Sequence, residues 1–279
     1  MISLALSPIA FQLGSLSVKW YGVIMAVAII LATTMAISEG KKRQIISDDF
    51  IDLLLWAVPL GYVGARIYYV VFEWGYYSQH PDQIIAIWQG GIAIYGGLLA
   101  GLVVLLVFCY RRMLPPFLML DIIAPGVMAA QILGRWGNFM NQEAHGGVTS
   151  LAFLQSLHLP KFIIDQMYIN GHYYQPTFLY ESVLNLLGLI LILSLRHRKG
   201  LFKQGEVFLF YVIWYAVVRF FVEGLRTDSL YIGGFIRVSQ ALSLVLFFAG
   251  IGILIYRRVK VKPKWYLEGS GLKYPYSRV

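Results

Sequence analysis

The sequence predicts an all-α membrane protein: a seven-helix transmembrane bundle with a small extracytoplasmic cap between spans four and five. Three observations support this. Seven segments approach the roughly 20 mostly apolar residues that a helix needs to cross a bilayer. Of 279 residues, 58% are hydrophobic and only 13% charged, against about a quarter charged in soluble chains. Sixteen of the 23 Lys and Arg fall in alternate connections, the asymmetry that orients multi-pass proteins. Residues 1–279 read as a single polytopic membrane domain.

The spans are 20–38, 50–72, 91–110, 117–137, 177–195, 206–225 and 235–256, and the third carries no charge. Lys41, Lys42 and Arg43 follow the first span, Arg111 and Arg112 the third, and Arg196, Arg198, Lys199 and Lys203 the fifth. The tail, 257–279, holds Arg257, Arg258, Lys260, Lys262, Lys264, Lys273 and Arg278. With seven spans these four regions share one side, which the positive-inside rule makes cytoplasmic. The N-terminus is then outside and the C-terminus cytoplasmic. The net charge of +9 therefore reports topology and not nucleic-acid binding. The basic tail is expected on anionic headgroups, at about 1 kcal/mol per basic residue near the surface. No basic stretch precedes the first span, so no cleavable signal peptide is expected.

The 39-residue connection 138–176 contains His145, His158, His172 and the turn pair Asn170-Gly171. Connections this long are functional or form a subdomain, here a compact cap. The histidines lack metal-ligand spacing, so neither a metal nor a soluble cofactor is expected. The lone Cys109 excludes an internal disulfide and reads as a small core hydrophobe. Gly61 and Gly64, and Gly97 and Gly101, are spaced for close helix approach. Gly90-Gly91 and Gly96-Gly97 flank residues 92–95, the pattern of a broken helix entrance lining a cavity. Pro125-Gly126 is placed to kink span four. No internal repeat is evident, and seven spans fit poorly with two inverted halves.

Five arginines break the charge rule. Arg66, Arg135, Arg219, Arg226 and Arg237 lie in or at the ends of spans, toward the outer half. An isolated arginine there could snorkel to headgroups, but five together suggest an outward-facing site for an anion. Arg135 opens the densest polar stretch, running Gly134-Arg135-Trp136-Gly137-Asn138-Phe139-Met140-Asn141-Gln142-Glu143-Ala144-His145-Gly146-Gly147. Arg219 and Glu223 are four apart and Glu223 and Arg226 three apart, so spacing alone favours an ion-pair network on one helix. Glu181, inside span five, could pair with an arginine, and Asn141 could cap a turn. These residues leave open a transporter for an organic anion, a non-catalytic scaffold, or an enzyme.

The stretch 134–143 resembles the signature of the prolipoprotein diacylglyceryl transferase family, and the resemblance covers nearly the whole length. Supporting matches are Trp20-Tyr21-Gly22, Asp121 with Pro125, Gln175-Pro176-Thr177 with Tyr180-Glu181, and Arg219 with Glu223 and Arg226. The resemblance implies a bacterial cytoplasmic-membrane enzyme. It takes the diacylglyceryl group of phosphatidylglycerol and attaches it by a thioether to the lipobox cysteine of a prolipoprotein signal peptide. Glycerol phosphate is released in this first step of lipoprotein maturation. Both substrates arrive from the lipid phase, so membrane lipids are partners and nucleic acid is not.

A thiolate must attack the glyceryl carbon while a phosphate monoester departs. Arginine suits the departing phosphate, because its planar fork is always charged and donates two parallel bonds. By resemblance Arg135 is the prime phosphate ligand and Arg226 a second essential arginine, with Tyr21 and Tyr95 as further catalytic candidates. Asn138, Asn141, Glu143, Gly146, Arg219 and Glu223 are the implied substrate-binding set. Many relatives carry histidine, a candidate base, where this chain has Tyr95. A phenol, with a reference pKa near 10, is a poor base at neutral pH.

Overall fold

The computed structural model describes residues 6–14, 16–227, 231–232 and 235–272. In chain order it contains strands β1 (Ile9–Leu13) and β2 (Leu16–Lys19), then α1 (Trp20–Lys42), α2 (Ser47–Phe72), the single turn α3 (Trp74–Tyr77), α4 (Ile94–Arg112) and α5 (Pro116–Met140). There follow β3 (Val148–Thr149), α6 (Leu151–Ser156), α7 (Lys161–Gln166), β4 (Tyr168–Ile169), β5 (His172–Tyr174), α8 (Thr177–Leu195), α9 (Glu206–Leu225), β6 (Tyr231–Ile232), β7 (Ile236–Arg237) and α10 (Val238–Tyr256). Among the described residues, seven helices are long and apolar enough to cross a membrane. They coincide with the seven expected spans.

The ends differ where backbone geometry intervenes. The helix α4 begins at Ile94 and not at residue 91, because Gly90 and Gly91 adopt φ of 89° and 71°, outside the helical region. The helix α10 begins at Val238, because Ile236 and Arg237 pair with β6 instead. Of the small antiparallel sheets, β1–β2 precedes α1, β3–β5–β4 lies between α5 and α8, and β6–β7 lies between α9 and α10.

The chain divides into two compact units. The smaller takes Ala36–Met119 and the segment from Gly269. Here α2 and α4 pack through glycine. A Cβ on Gly96 would lie 2.5 Å from the Gly64 carbonyl oxygen, and one on Gly64 would lie 2.9 Å from that of Gly96. Gly97 faces Gly61, whereas a Cβ on Gly101 meets nothing within 4 Å, so that glycine stands off the contact. Arg112 closes the helix pair, bonding Asp49 at 3.0 Å and Asp52 at 2.6 Å.

Arg66 corrects an expectation. It does not join the other four membrane arginines. Arg66 is 6% exposed, and its guanidinium donates to the carbonyls of Gln83 (2.6 Å), Ile84 (2.8 Å), Gly90 (2.8 Å) and Gly91 (2.7 Å). Four oriented carbonyl dipoles satisfy the charge and hold the irregular entrance to α4, as buried cations require.

The larger unit runs to Met35 and from Leu120 to Glu268. The helix α5 continues unbroken through Pro125, and Gly126 lets α1 approach, since a Cβ there would lie 2.8 Å from the Ala32 carbonyl oxygen. Fully buried Asp121 accepts from the backbone N–H of Gly205 (2.5 Å) and Phe208 (2.8 Å), satisfying free donors at the start of α9. Glu206 binds Arg258 at 2.6 Å, and Arg257 donates to the Gln204 carbonyl at 2.9 Å. Two of the tail's basic residues thus brace α9, while Lys260, Lys262 and Lys264 stay exposed. Lys273 and Arg278 lie outside the described residues.

The helix α5 runs on to Met140, three residues past the expected end, and residues 141–176 form a compact segment between α5 and α8. Phe139, Leu154, Ile163, Ile164, Met167 and Phe178 form its core, with Trp136 and Tyr174 packed against it. The core therefore joins the cap to the ends of α5 and α8. Asn170 and Gly171, both at positive φ, turn β4 into β5 as two-residue hairpins require.

The glycine contact predicts a position-specific effect. Replacing Gly96 by Leu should destabilise the protein by about 1–3 kcal/mol through overpacking, while Gly101→Leu should be neutral. Thermal unfolding in detergent micelles checks both; equal losses would contradict the packing account.

Candidate active site

The helix α5 ends in the polar stretch that begins at Arg135. One Nη of Arg135 lies 2.9 Å from Oε1 of Glu181, and the other donates to Oδ1 of Asn138 at 3.2 Å. The same Glu181, on α8, offers Oε2 to Arg219 of α9 at 3.2 Å. Arg219 also pairs with Glu223, one turn along, at 2.6 Å. Glu223 Oε2 lies 4.0 Å from Arg226 Nε, and its backbone carbonyl accepts from Arg237. On the other flank Asn138 donates to Glu143 at 2.8 Å, and Asn141 does so at 3.4 Å. Arg135, Glu181, Arg219, Glu223 and Arg226 form one alternating chain of ion pairs, with Glu143 attached through Asn138 and Arg237 through the Glu223 backbone.

The burial is uneven. Glu181 and Glu223 have 2% of their side chains exposed, against 14–19% for Arg135, Arg219 and Arg226. The carboxylates are sequestered and the arginine side chains are the more exposed partners. Among the described residues, four arginines meet three glutamates. That arrangement suits a mono- or dianion bound by bidentate donors.

The segment after α5 is held in a strained path. Gln142 and Ala144 have φ of 53° and 57°, a left-handed region that costs a non-glycine residue about 1–2 kcal/mol. The Gln175-Pro176-Thr177 motif pins it. Thr177 Oγ1 donates to the Ala144 carbonyl (2.7 Å), Gly146 N–H to Gln175 (2.9 Å) and Gln175 N–H to Gly147 (3.0 Å). Gly146 also forms a backbone bridge with Arg226. A Cβ on Gly146 would lie 2.8 Å from Gln175 Cβ, so the glycine permits the approach that fixes Arg226. Buried Gln166 completes the support, donating to the Phe139 carbonyl (3.1 Å) and accepting from Leu6 N–H (2.7 Å).

Tyr21 lies over the signature helix: a Cβ on Gly137 would be 2.7 Å from its Cδ2. Of the candidates from sequence, Tyr21, Arg135, Asn138, Asn141, Glu143, Gly146, Arg219, Glu223 and Arg226 all lie in the larger unit. Tyr95 lies in the smaller unit, in the first turn of α4. Sequence reasoning left Glu181 out of the site, although its carboxylate joins Arg135 to Arg219. The available signal was an ionisable residue inside an apolar span. It also passed over Asn185, one turn along α8 from Glu181, fully buried, whose amide has no partner among the described residues.

The family described as "Prolipoprotein diacylglyceryl transferase" matches residues 8–256. The chain belongs to this family. It is 81% identical over 278 residues to the phosphatidylglycerol–prolipoprotein diacylglyceryl transferase of Lactobacillus acidophilus, covering 100% of this chain and 99% of that protein. The enzyme of the same name from Lactobacillus johnsonii is 77% identical, over 99% of this chain and 100% of its own length. That of Lactiplantibacillus plantarum is 58% identical, over 96% of each. As a member of the prolipoprotein diacylglyceryl transferase family with seven apolar helices, the chain is a multi-pass membrane protein.

Glu181 is the residue whose loss the network tolerates least. Glu181→Ala leaves two guanidinium groups without their shared carboxylate and should cost about 3–5 kcal/mol of stability. Adding Arg219→Ala should recover part of that loss, because one uncompensated cation is removed. Unfolding midpoints of both variants and of Arg219→Ala alone complete the comparison; strict additivity would contradict the shared contact.

Proposed function

We propose that this chain transfers the diacylglyceryl group of phosphatidylglycerol to the lipobox cysteine thiol of prolipoproteins; its relatives are named phosphatidylglycerol–prolipoprotein diacylglyceryl transferases. The observation that carries the reading is the pairing of Arg135 and Arg219 through one buried carboxylate, with both arginine side chains more exposed than the carboxylate that joins them. The thiolate attacks the glyceryl carbon that bears the phosphate ester. The carbon–oxygen bond breaks, the thioether forms, and glycerol phosphate leaves with the bridging oxygen. Negative charge grows on that oxygen, and fixed guanidinium donors in a low-dielectric site stabilise it without reorganising.

Arg135 and Arg219 are the phosphate ligands in this reading, with Arg226 as a further arginine and Tyr21 contributing a hydroxyl. Asn138, Asn141 and Glu143 bind the headgroup and hold Arg135, and Glu223 orients Arg219. Gly146 acts by letting the backbone reach Arg226. The enzyme serves as a single polytopic domain of the bacterial cytoplasmic membrane. Its N-terminus and the 138–176 cap are outside, and its basic tail rests on cytoplasmic headgroups. The positive-inside distribution of the basic connections supports this orientation.

Mass spectrometry of a lipobox peptide incubated with purified protein and phosphatidylglycerol tests the reaction. A diacylglyceryl mass gain on cysteine is expected, and Arg135→Ala should lower its rate about 100- to 1000-fold, as for loss of one transition-state donor. No gain with folded wild-type protein would overturn the assignment. Topology is tested separately in intact cells. A cysteine introduced in the cap should react with a membrane-impermeant maleimide, and one introduced at Gly271 should not.

A further inference from the structure

The reaction needs a group that removes the thiol proton, and the phenol at position 95 is a poor one. Among the described residues the carboxylates of the charged network are committed. Glu181 and Glu223 are ion-paired, and Glu143 accepts from two asparagines. Carboxylate oxygens already accepting from guanidinium and amide donors are engaged before a thiol arrives. His158 and His172 are exposed cap residues, the former ahead of α7 and the latter in β5. One imidazole lies within the polar stretch itself.

We propose that His145 is the general base that takes the proton from the lipobox cysteine thiol. Its Nδ1 is 3.1 Å from the Gly146 carbonyl oxygen. A carbonyl only accepts, so the hydrogen of the neutral ring sits on Nδ1 and the lone pair on Nε2. Among the described residues Nε2 makes no hydrogen bond. The ring packs on Tyr174 of β5, with centroids 4.1 Å apart, which fixes its plane. Its backbone is held on both sides: Thr227 Oγ1 reaches the His145 carbonyl at 3.5 Å, and the next residue, Gly146, bridges to Arg226. The charged and titratable groups around it are Tyr174 from the cap, Glu143 on its own segment, and Arg226 across the bridge. The base is thus built onto the same backbone that positions a phosphate-binding arginine.

The step balances. The S–H proton passes to Nε2, the thiolate forms the carbon–sulfur bond, and the carbon–oxygen bond to phosphate breaks. The imidazolium then gives its proton to the departing phosphate monoester or to water, restoring neutral His145. This inference rests on the transferase reading above.

Turnover of lipobox peptide by full-length protein in phosphatidylglycerol vesicles tests it, with His145→Ala and His145→Gln compared across pH. Loss of a general base should lower kcat/KM at pH 7 by about 100-fold or more, with KM for phosphatidylglycerol unchanged. The acid limb of the variants should move up to follow thiol ionisation, near pH 8.5 for a free cysteine, so the deficit shrinks at pH 9. A selenocysteine lipobox peptide, ionised at neutral pH without help, should restore the variants to near the wild-type rate. Wild-type-like turnover of cysteine peptide by either variant at pH 7 would overturn the proposal. So would a loss independent of pH that selenocysteine does not relieve, which would mark His145 as structural. Absence of turnover by wild type on both peptides would instead remove the transferase reading, and this inference with it.

Discussion

The carboxylate of Glu181 is the constraint on which the rest of the larger unit depends. It is 2% exposed in a helix that crosses the membrane, and two guanidinium groups from two other helices meet it. An ionised group in that environment persists only when paired with good geometry. The pairing therefore requires α5, α8 and α9 to converge at that level, with Arg135 and Arg219 on facing surfaces. Neighbouring contacts serve the same convergence. Ser182 donates to the Ile132 carbonyl between α8 and α5, and Trp214 donates to the Leu184 carbonyl between α9 and α8. At the far end of α9, Asp121 on α5 binds the first backbone N–H groups of that helix. The charged network is thus anchored by hydrogen bonds along the helices that carry it.

The second support is the cap, which acts through backbone and not through charge. Its apolar core packs on Phe139 and Trp136, the residues that flank Asn138. Its last strand leads into the Gln175-Pro176-Thr177 turn, which grips residues 144–147. The left-handed residues Gln142 and Ala144 are tolerated because these bonds over-determine their path. What the strain achieves is placement: it brings Gly146 against Arg226 and presents His145 beside the same bridge.

Much of the architecture was legible because bilayer thickness imposes it. Span length, apolar content and the spacing of Arg219 and Glu223 are local properties, and they reappear as seven helices and a 2.6 Å ion pair. The cap was legible as an over-long connection with a hairpin turn at Asn170-Gly171. The misreadings concern partners distant in sequence. Arg219 and Glu181 are 38 residues apart, and no local pattern links them. Arg66 looked like a fifth anion ligand because its acceptors are backbone carbonyls, which every sequence contains and none advertises. Gly101 matched a packing motif in spacing but faces away from the contact.

On the proposed assignment of these arginines to the reacting phosphate, the acidic residues carry a further consequence for turnover. Phosphatidylglycerol presents a phosphodiester with one negative charge, whereas the released glycerol phosphate is a monoester that gains a second near neutral pH. Arginines with no counter-charge would bind the product more tightly than the substrate, and product release would limit the cycle. Glu181 and Glu223 compete for the same guanidinium groups from buried, fixed positions. With Glu143 they set three carboxylates among the four arginines of the described residues. The site then favours the charge that develops as the carbon–oxygen bond breaks, because that charge appears where donors already point. Once the monoester separates from the thioether it must contend with carboxylates that re-form their pairs. Pairing that first reads as neutralisation is what lets a strongly cationic site release an anion more highly charged than the one it received.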